Sequence, residues 1–123
     1  MENLNCPFCA PGEPVLENAL AFARWDINPV SPGHLLVLTR RHVADFFEVT
    51  PAEREALMAL LLQAHERVRK DHHPDGFNVG VNVGDAAGQT IGHVHVHLIP
   101  RYNGDTPEPR GGVRRVIPRK QSY

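Results

Sequence analysis

Three histidines, His93, His95 and His97, stand at alternate positions near the end of the chain, with valines between them. On a strand, alternate side chains share one face at about 6.6 Å spacing. Three imidazoles would then line one side of a sheet, where histidine is a poor filler and protonated neighbours repel. Three readings follow. The face is a solvated polar surface. Or it is a three-histidine metal centre, although a third ligand on the same strand fits one ion poorly. Or it serves nucleophilic catalysis, because an imidazole with a pKa near about 6.5 offers a neutral nitrogen at pH 7. The loop just upstream favours the third reading. Gly88-Gln89-Thr90 offers backbone N–H groups, an amide and a hydroxyl, donors that suit a phosphate or an oxyanion and that a metal centre does not need.

Two further groups of residues carry chemistry. Cys6 and Cys9 are the only cysteines and are spaced Cys-x-x-Cys. A redox pair would call for a thioredoxin-like βαβ setting, which the pattern lacks. An inert buried pair and half of a structural zinc site are the other readings, and zinc, which needs two more ligands, is preferred. Basic residues gather late, at Arg110, Arg114, Arg115, Arg119 and Lys120. They read equally as a solvated tail or as a phosphate-facing patch that shapes substrate choice.

These groups need elements to hold them. Residues 19–25 read as a strand, residues 28–33 as a Pro- and Gly-rich turn, and His34 to Thr39 as a strand buried on both faces. Thr50-Pro51-Ala52-Glu53 supplies an N-cap, a first-turn proline and a capping-box glutamate. Leu57, Leu60, Leu61, Ala64 and Val68 then form one helical stripe, which Asp71 to Gly76 ends. Residues 77–83 alternate, with Val79, Val81 and Val83 opposite Asn78, Gly80 and Asn82. Residues 93–99 alternate likewise. The pattern predicts an α+β fold: an antiparallel sheet of about five strands with one main helix on its valine face, leaving the histidine face open. The tail from Asn103 is expected to hold a short strand near Val113 to Ile117.

Composition narrows the class. With 123 residues, 41% hydrophobic and 22% charged, residues 1–123 are expected to form one domain with a core. A formal net charge of -1 argues against a nucleic-acid surface. No apolar run reaches membrane-span length, and the first residues are acidic with no apolar stretch, so a cytoplasmic protein is expected.

The segment Gly88-Gln89-Thr90-Ile91-Gly92-His93-Val94-His95-Val96-His97-Leu98-Ile99-Pro100-Arg101 resembles the histidine-triad (HIT) family, in which histidines alternate with apolar residues. The likeness extends to Asp26-Ile27, Pro32-Gly33-His34, Asn82 and the tail Pro109 to Arg114, and is nearest the bacterial branch, similar to Hint and Fhit nucleotide hydrolases. It implies a nucleotide hydrolase or nucleotidyl transferase acting at an α-phosphorus. His95 would form a covalent nucleotidyl-histidine, and a nucleoside monophosphate would be released. Gln89, Thr90 and His97 would hold the phosphate and leaving group, with Gly88 letting the backbone approach. Asp26 would meet the ribose, Ile27 and Phe8 the base, and Asn82 the sugar and phosphate, while His34 orients the triad. A homodimer is implied, as is structural zinc on Cys6, Cys9, His42 and His93, with no cofactor needed for the chemistry. His65, His72 and His73 are left as solvated residues. Arg24 departs from the family, where an apolar or aromatic residue is common. The leaving group stays open between a dinucleoside polyphosphate, an aminoacyl-adenylate-like adduct and a nucleoside phosphoramidate. A metal-dependent hydrolase using the histidines as ligands and a non-catalytic nucleotide-binding module remain the rival readings.

Overall fold

The computed structural model describes residues 5–10 and 12–123; the reading of the first four residues lies outside it. Five strands run in the order Leu16–Glu17 (β1), Ala21–Trp25 (β2), Leu35–Thr39 (β3), Gly76–Gly80 (β4) and His95–Arg101 (β5), with one helix, Pro51–His72 (α1), between β3 and β4. They form one antiparallel sheet ordered β1-β2-β3-β5-β4. This is the expected α+β architecture.

The helix starts where its sequence directs. The Thr50 hydroxyl accepts from the Glu53 N–H at 3.0 Å, and the Glu53 carboxylate accepts from the Thr50 N–H at 2.8 Å, so two otherwise unpaired donors are satisfied. The same carboxylate, 4% exposed, takes two hydrogen bonds from Arg41 at 2.8 and 2.9 Å. That pair ties the helix start to the segment after β3, next to His42. The helix ends as His73 turns left-handed at φ 53° and Pro74 follows, which cannot continue the ladder.

The sheet buries both faces, each for its own reason. On one, Ala21, Ala23, Leu35, Val37, Val94, Val96 and Leu98 meet Leu57, Leu60, Ala64 and Val68 of α1. On the other, Phe22, Leu36 and Leu38 are covered by Cys6, Phe8 and Cys9. The histidine face is therefore not wholly open, as the strand pattern suggested; the N-terminal segment occupies part of it. A period-two pattern shows which residues share a face but not what distant segment packs there. The helix packs on β1, β2, β3 and β5, while β4 forms the sheet edge with Val79 46% exposed.

Several boundaries differ from expectation: β1 lies outside the predicted strands, β2 begins at Ala21 rather than residue 19, and β5 runs His95–Arg101 rather than 93–99, so that His93 precedes it. Strand β4 stops at Gly80, not Val83, because the following loop is pinned on itself: Gly84 N–H donates to the Gln89 side chain at 2.9 Å, and Gln89 N–H to the Gly84 carbonyl at 3.1 Å. The expected strand near Val113 to Ile117 is instead a tight 3₁₀ turn, Gly112–Val116. Left-handed Gly111 before it, positive-φ Gly112 at its start and Pro118 after it favour local i→i+3 bonds over a ladder. Thr50→Ala is expected to lower the unfolding free energy by about 1 kcal/mol with the fold retained. Urea titration checks this, and an unchanged midpoint would show that the cap does not stabilise the domain.

Candidate active site

The three triad rings face three different partners. His93 Nε2–H donates to the Thr39 carbonyl at 2.6 Å, which leaves Nδ1 without a proton, 3.5 Å from Cys6 Sγ and 3.6 Å from Cys9 Sγ. His95 Nδ1–H donates to the His93 carbonyl at 2.7 Å. A carbonyl only accepts, so the neutral His95 ring carries its proton on Nδ1 and its lone pair on Nε2. His97 Nδ1 lies 3.0 Å from His34 Nε2.

A directional chain sets that last bond. The Val30 backbone N–H donates to His34 Nδ1 at 3.1 Å, so the neutral His34 ring carries its proton on Nε2 and donates it to His97 Nδ1. His97 is then left with an Nε2–H. Burial pushes His34 below the ordinary imidazole range, against a pull from the Asp26 carboxylate 3.5 Å away. Burial pushes His97 down too, helped by the neighbouring His95 and His34. Both rings are neutral at pH 7, as the chain of donors requires.

These groups open onto one cleft of about 950 Å³. His34, His95, His97, Phe8, Asp26, Ile27, Asn82, Gly88 and Thr90 all line it. Ile27 stands at the rim, 80% exposed. Phe8 is 5% exposed: it packs edge-on against His95 at 4.9 Å, and the Arg24 guanidinium lies 4.8 Å above its ring. Gly88 adopts φ 87°, a left-handed conformation that a side chain resists, and an added Cβ would project into open space. Gln89 is placed differently. Its Oε1 accepts from Gly84, its Nε2 donates to the Ala44 and Ile91 carbonyls at 2.8 and 3.2 Å, and it braces the loop from behind.

Cys6, Cys9, His42 and His93 form a second cluster, with their candidate ligand atoms all within 4.8 Å of one another. Cys9 Sγ lies 3.2 Å from His42 Nδ1. A tetrahedral zinc with bonds of about 2.3 Å to sulfur and about 2.0–2.1 Å to nitrogen places its ligand atoms roughly 3.3–3.8 Å apart. The two His93 separations, 3.5 and 3.6 Å, fall in that range, and the Cys9–His42 separation of 3.2 Å lies just below it, so the set is compatible with that ion. His93 also has the outer-shell carbonyl that commonly orients a metal-binding imidazole, with its Nδ1 free of a proton. Burial pushes the Cys6 thiol up, and a bound cation reverses that preference. Asp26, His34 and His97 also lie within 4.8 Å of each other, but a metal there would break the His34–His97 hydrogen bond.

Several contributors escaped sequence reasoning. The Thr39 and His93 carbonyls and the Val30 N–H are backbone groups, and no residue type announces them. Arg24 was visible as a departure, and its place over Phe8 explains it. Arg115 lines the cleft as well, whereas sequence saw only an undivided basic cluster. No helix among the described residues is long and apolar enough to cross a membrane.

A five-stranded antiparallel sheet with alternate histidines over a cleft and one helix behind it defines a small α+β domain with a histidine-based site. The HIT domain family model matches residues 9–104, and the chain belongs to the HIT family. It is 38% identical over 92 residues to AP-4-A phosphorylase of Mycobacterium tuberculosis, covering 74% of this chain and 47% of that one. It is 36% identical over 89 residues to the asymmetrical bis(5'-nucleosyl)-tetraphosphatase of Schizosaccharomyces pombe, covering 72% and 49%. The chain thus spans about half the length of these two relatives. A zinc-bound histidine triad family protein from Mycobacterium smegmatis has the same fold, with TM-score 0.75 and 31% identity over 85% of this chain and 81% of that one.

The lowered pKa values of His34 and His97 have a stability consequence. Below about pH 6.5 the unfolded chain takes up protons that the folded chain refuses, so stability is complete above that pH and falls beneath it. Denaturant unfolding between about pH 7.5 and about pH 5.5 should show this loss, and His34→Asn should reduce it. An identical loss in the variant would remove His34 as a source.

Proposed function

We propose that this chain cleaves a nucleotide-like substrate at its α-phosphorus through a covalent nucleotidyl-histidine on His95. The observation that carries this is the hydrogen bond from His95 Nδ1–H to the His93 carbonyl, which sets the tautomer so that the neutral ring, lining the cleft, has its lone pair on Nε2. In the first step the Nε2 lone pair forms an N–P bond. The bond from phosphorus to the leaving group breaks, and the leaving group takes that electron pair. His97 Nε2–H and the Thr90 hydroxyl stabilise the charge on the phosphoryl oxygens, with Gly88 letting the backbone approach. In the second step water attacks phosphorus, the P–Nε2 bond breaks with its pair returning to nitrogen, and a proton passes to solvent. A nucleoside monophosphate leaves.

Asp26 takes the ribose, Asn82 the sugar and phosphate, and Ile27 with Phe8 under Arg24 form the walls for the base. His34 and Gln89 are positioning residues, acting through His97 and through the loop. The substrate class is a dinucleoside polyphosphate or a nucleoside phosphoramidate. The relatives named for tetraphosphate cleavage and for phosphorolysis support the first class, and the latter makes inorganic phosphate a second acceptor to test. The reading includes a homodimer, for which β4, an edge strand with Val79 46% exposed, is a candidate surface.

Zinc belongs to the same reading. Cys6, Cys9, His42 and His93 would hold it, and when bound it supplies positive charge that favours the thiolates. Its role is structural: the four residues come from the N-terminal segment, the loop after β3 and the approach to β5.

Two experiments test these proposals. His95→Ala should fold normally yet lose several orders of magnitude in turnover. Rapid acid-free quenching of the parent with substrate labelled at the α-phosphate should trap label on protein, stable to base and labile to acid. Phosphorus NMR of the products separates water from phosphate as the acceptor. A variant retaining most activity moves the chemistry away from His95. Protein purified without added metal should contain one zinc per chain, and Cys6→Ser should lose it. No zinc in the parent, or equal zinc in both, ends the zinc proposal.

A further inference from the structure

We infer that the C-terminal tail builds a second anion subsite in the same cleft, with Arg115 as its cation, for the phosphates beyond the α-phosphorus. The inference rests on the reading of His95 as the α-phosphorus site and narrows its substrate to polyphosphates.

The tail folds back over the site face. An added Cβ on Gly112 would lie 3.3 Å from Asn78 Nδ2 on β4, and Asn78 is paired with Ile99 on β5. Ile99 lies two residues beyond His97 and four beyond His95, or roughly 7 to 13 Å along the strand. The turn Gly112–Val116 therefore stands beside the cleft, one short step from the triad, and Gly112, Val113, Arg115 and Val116 all line it.

The structure divides the five basic residues that the sequence presents as one cluster. The Arg110 and Arg114 guanidiniums lie over the Tyr123 ring, 5.2 and 5.0 Å from its centre. Arg119 and Lys120 are exposed and do not line the cleft. Arg115 lines the cleft, and its Nη1 donates to Gln121 Oε1 at 2.6 Å. Gln121 is buried at 9% exposure, and its Nε2 donates to the Glu108 and Arg110 carbonyls at 2.8 and 3.1 Å. This arrangement requires glycine at position 111, where φ is 91° and a side chain would collide with the Gln121 carbonyl.

Holding Arg115 through a neutral amide fixes the guanidinium without cancelling its charge. The other arginines of the cleft are used differently. Arg101 donates two bonds to the Asp105 carboxylate, at 2.8 Å each, and one to Asn78 Oδ1. Arg24 donates to the Pro7 carbonyl and covers Phe8. Arg115 has no carboxylate partner among the described residues, and four of its five N–H donors remain for a ligand. A planar guanidinium with adjacent free donors suits a phosphate. A phosphoramidate with an uncharged leaving group offers it nothing.

The test is equilibrium binding of AMP and ATP, in a His95→Asn background that cannot turn over. Arg115→Gln should weaken ATP binding about tenfold or more, as for loss of one hydrogen-bonded charge, and leave AMP binding unchanged. Arg110→Gln, on the Tyr123 side of the tail, should change neither. Equal ATP affinity with and without Arg115, or equal loss for both nucleotides, overturns the subsite while the α-phosphorus site stands. A parent that binds neither nucleotide overturns both.

Discussion

His93 holds the two chemical centres of the molecule in one frame. Its ring directs a bare Nδ1 at the cysteines, while its carbonyl accepts the Nδ1–H of His95. The Thr39 carbonyl, at the end of β3, fixes the ring from behind. One residue thus couples the Cys/His cluster to the protonation pattern of the neighbouring imidazole. Turning the His93 ring would disturb the cluster, while shifting its backbone would disturb the His95 tautomer. The N-terminal segment, packed on Phe22, Leu36 and Leu38, is the outer wall of that frame.

The rest of the site follows from the same economy of direction. Each imidazole has two nitrogens, and the fold uses one of them to decide the state of the other. Carbonyls do this for His93 and His95, and a backbone N–H does it for His34 and, through it, His97. Burial keeps His34 and His97 neutral, so the pattern holds at neutral pH. The carrier of this order is the antiparallel register, which sets Leu36 opposite His97 and Leu38 opposite His95. The helix contributes at a distance, filling the far face so that the sheet is not free to slip.

Much of this was legible in the sequence. The capping box gave the helix start to the residue, because Thr50 and Glu53 act locally. Alternation placed the triad on one face and the valines on the other, because side-chain direction in a strand is also local. The clustering of Cys6, Cys9, His42 and His93 was not readable from spacing and came only through family resemblance; the fold brings the four together. What stayed hidden depends on partners distant in sequence. The cover that Cys6 to Cys9 give the second face, the end of β4 at Gly80 and the place of Arg115 in the cleft lining are all of this kind. Gln89 is instructive: its amide suggested a ligand donor, but the Gly84 N–H and the Ile91 and Ala44 carbonyls, the last 45 residues away, engage it first.

The neutrality of the His34–His97 pair also bears on the end of the proposed reaction. A permanent cation beside the phosphorus would grip a departing monophosphate as tightly as the strained intermediate that precedes it. Uncharged N–H dipoles respond instead to how much negative charge an oxygen carries and how well it is aligned. In the proposed reaction that difference favours the transition state over the product, and it relieves the cleft of product inhibition at the place where the bond is broken.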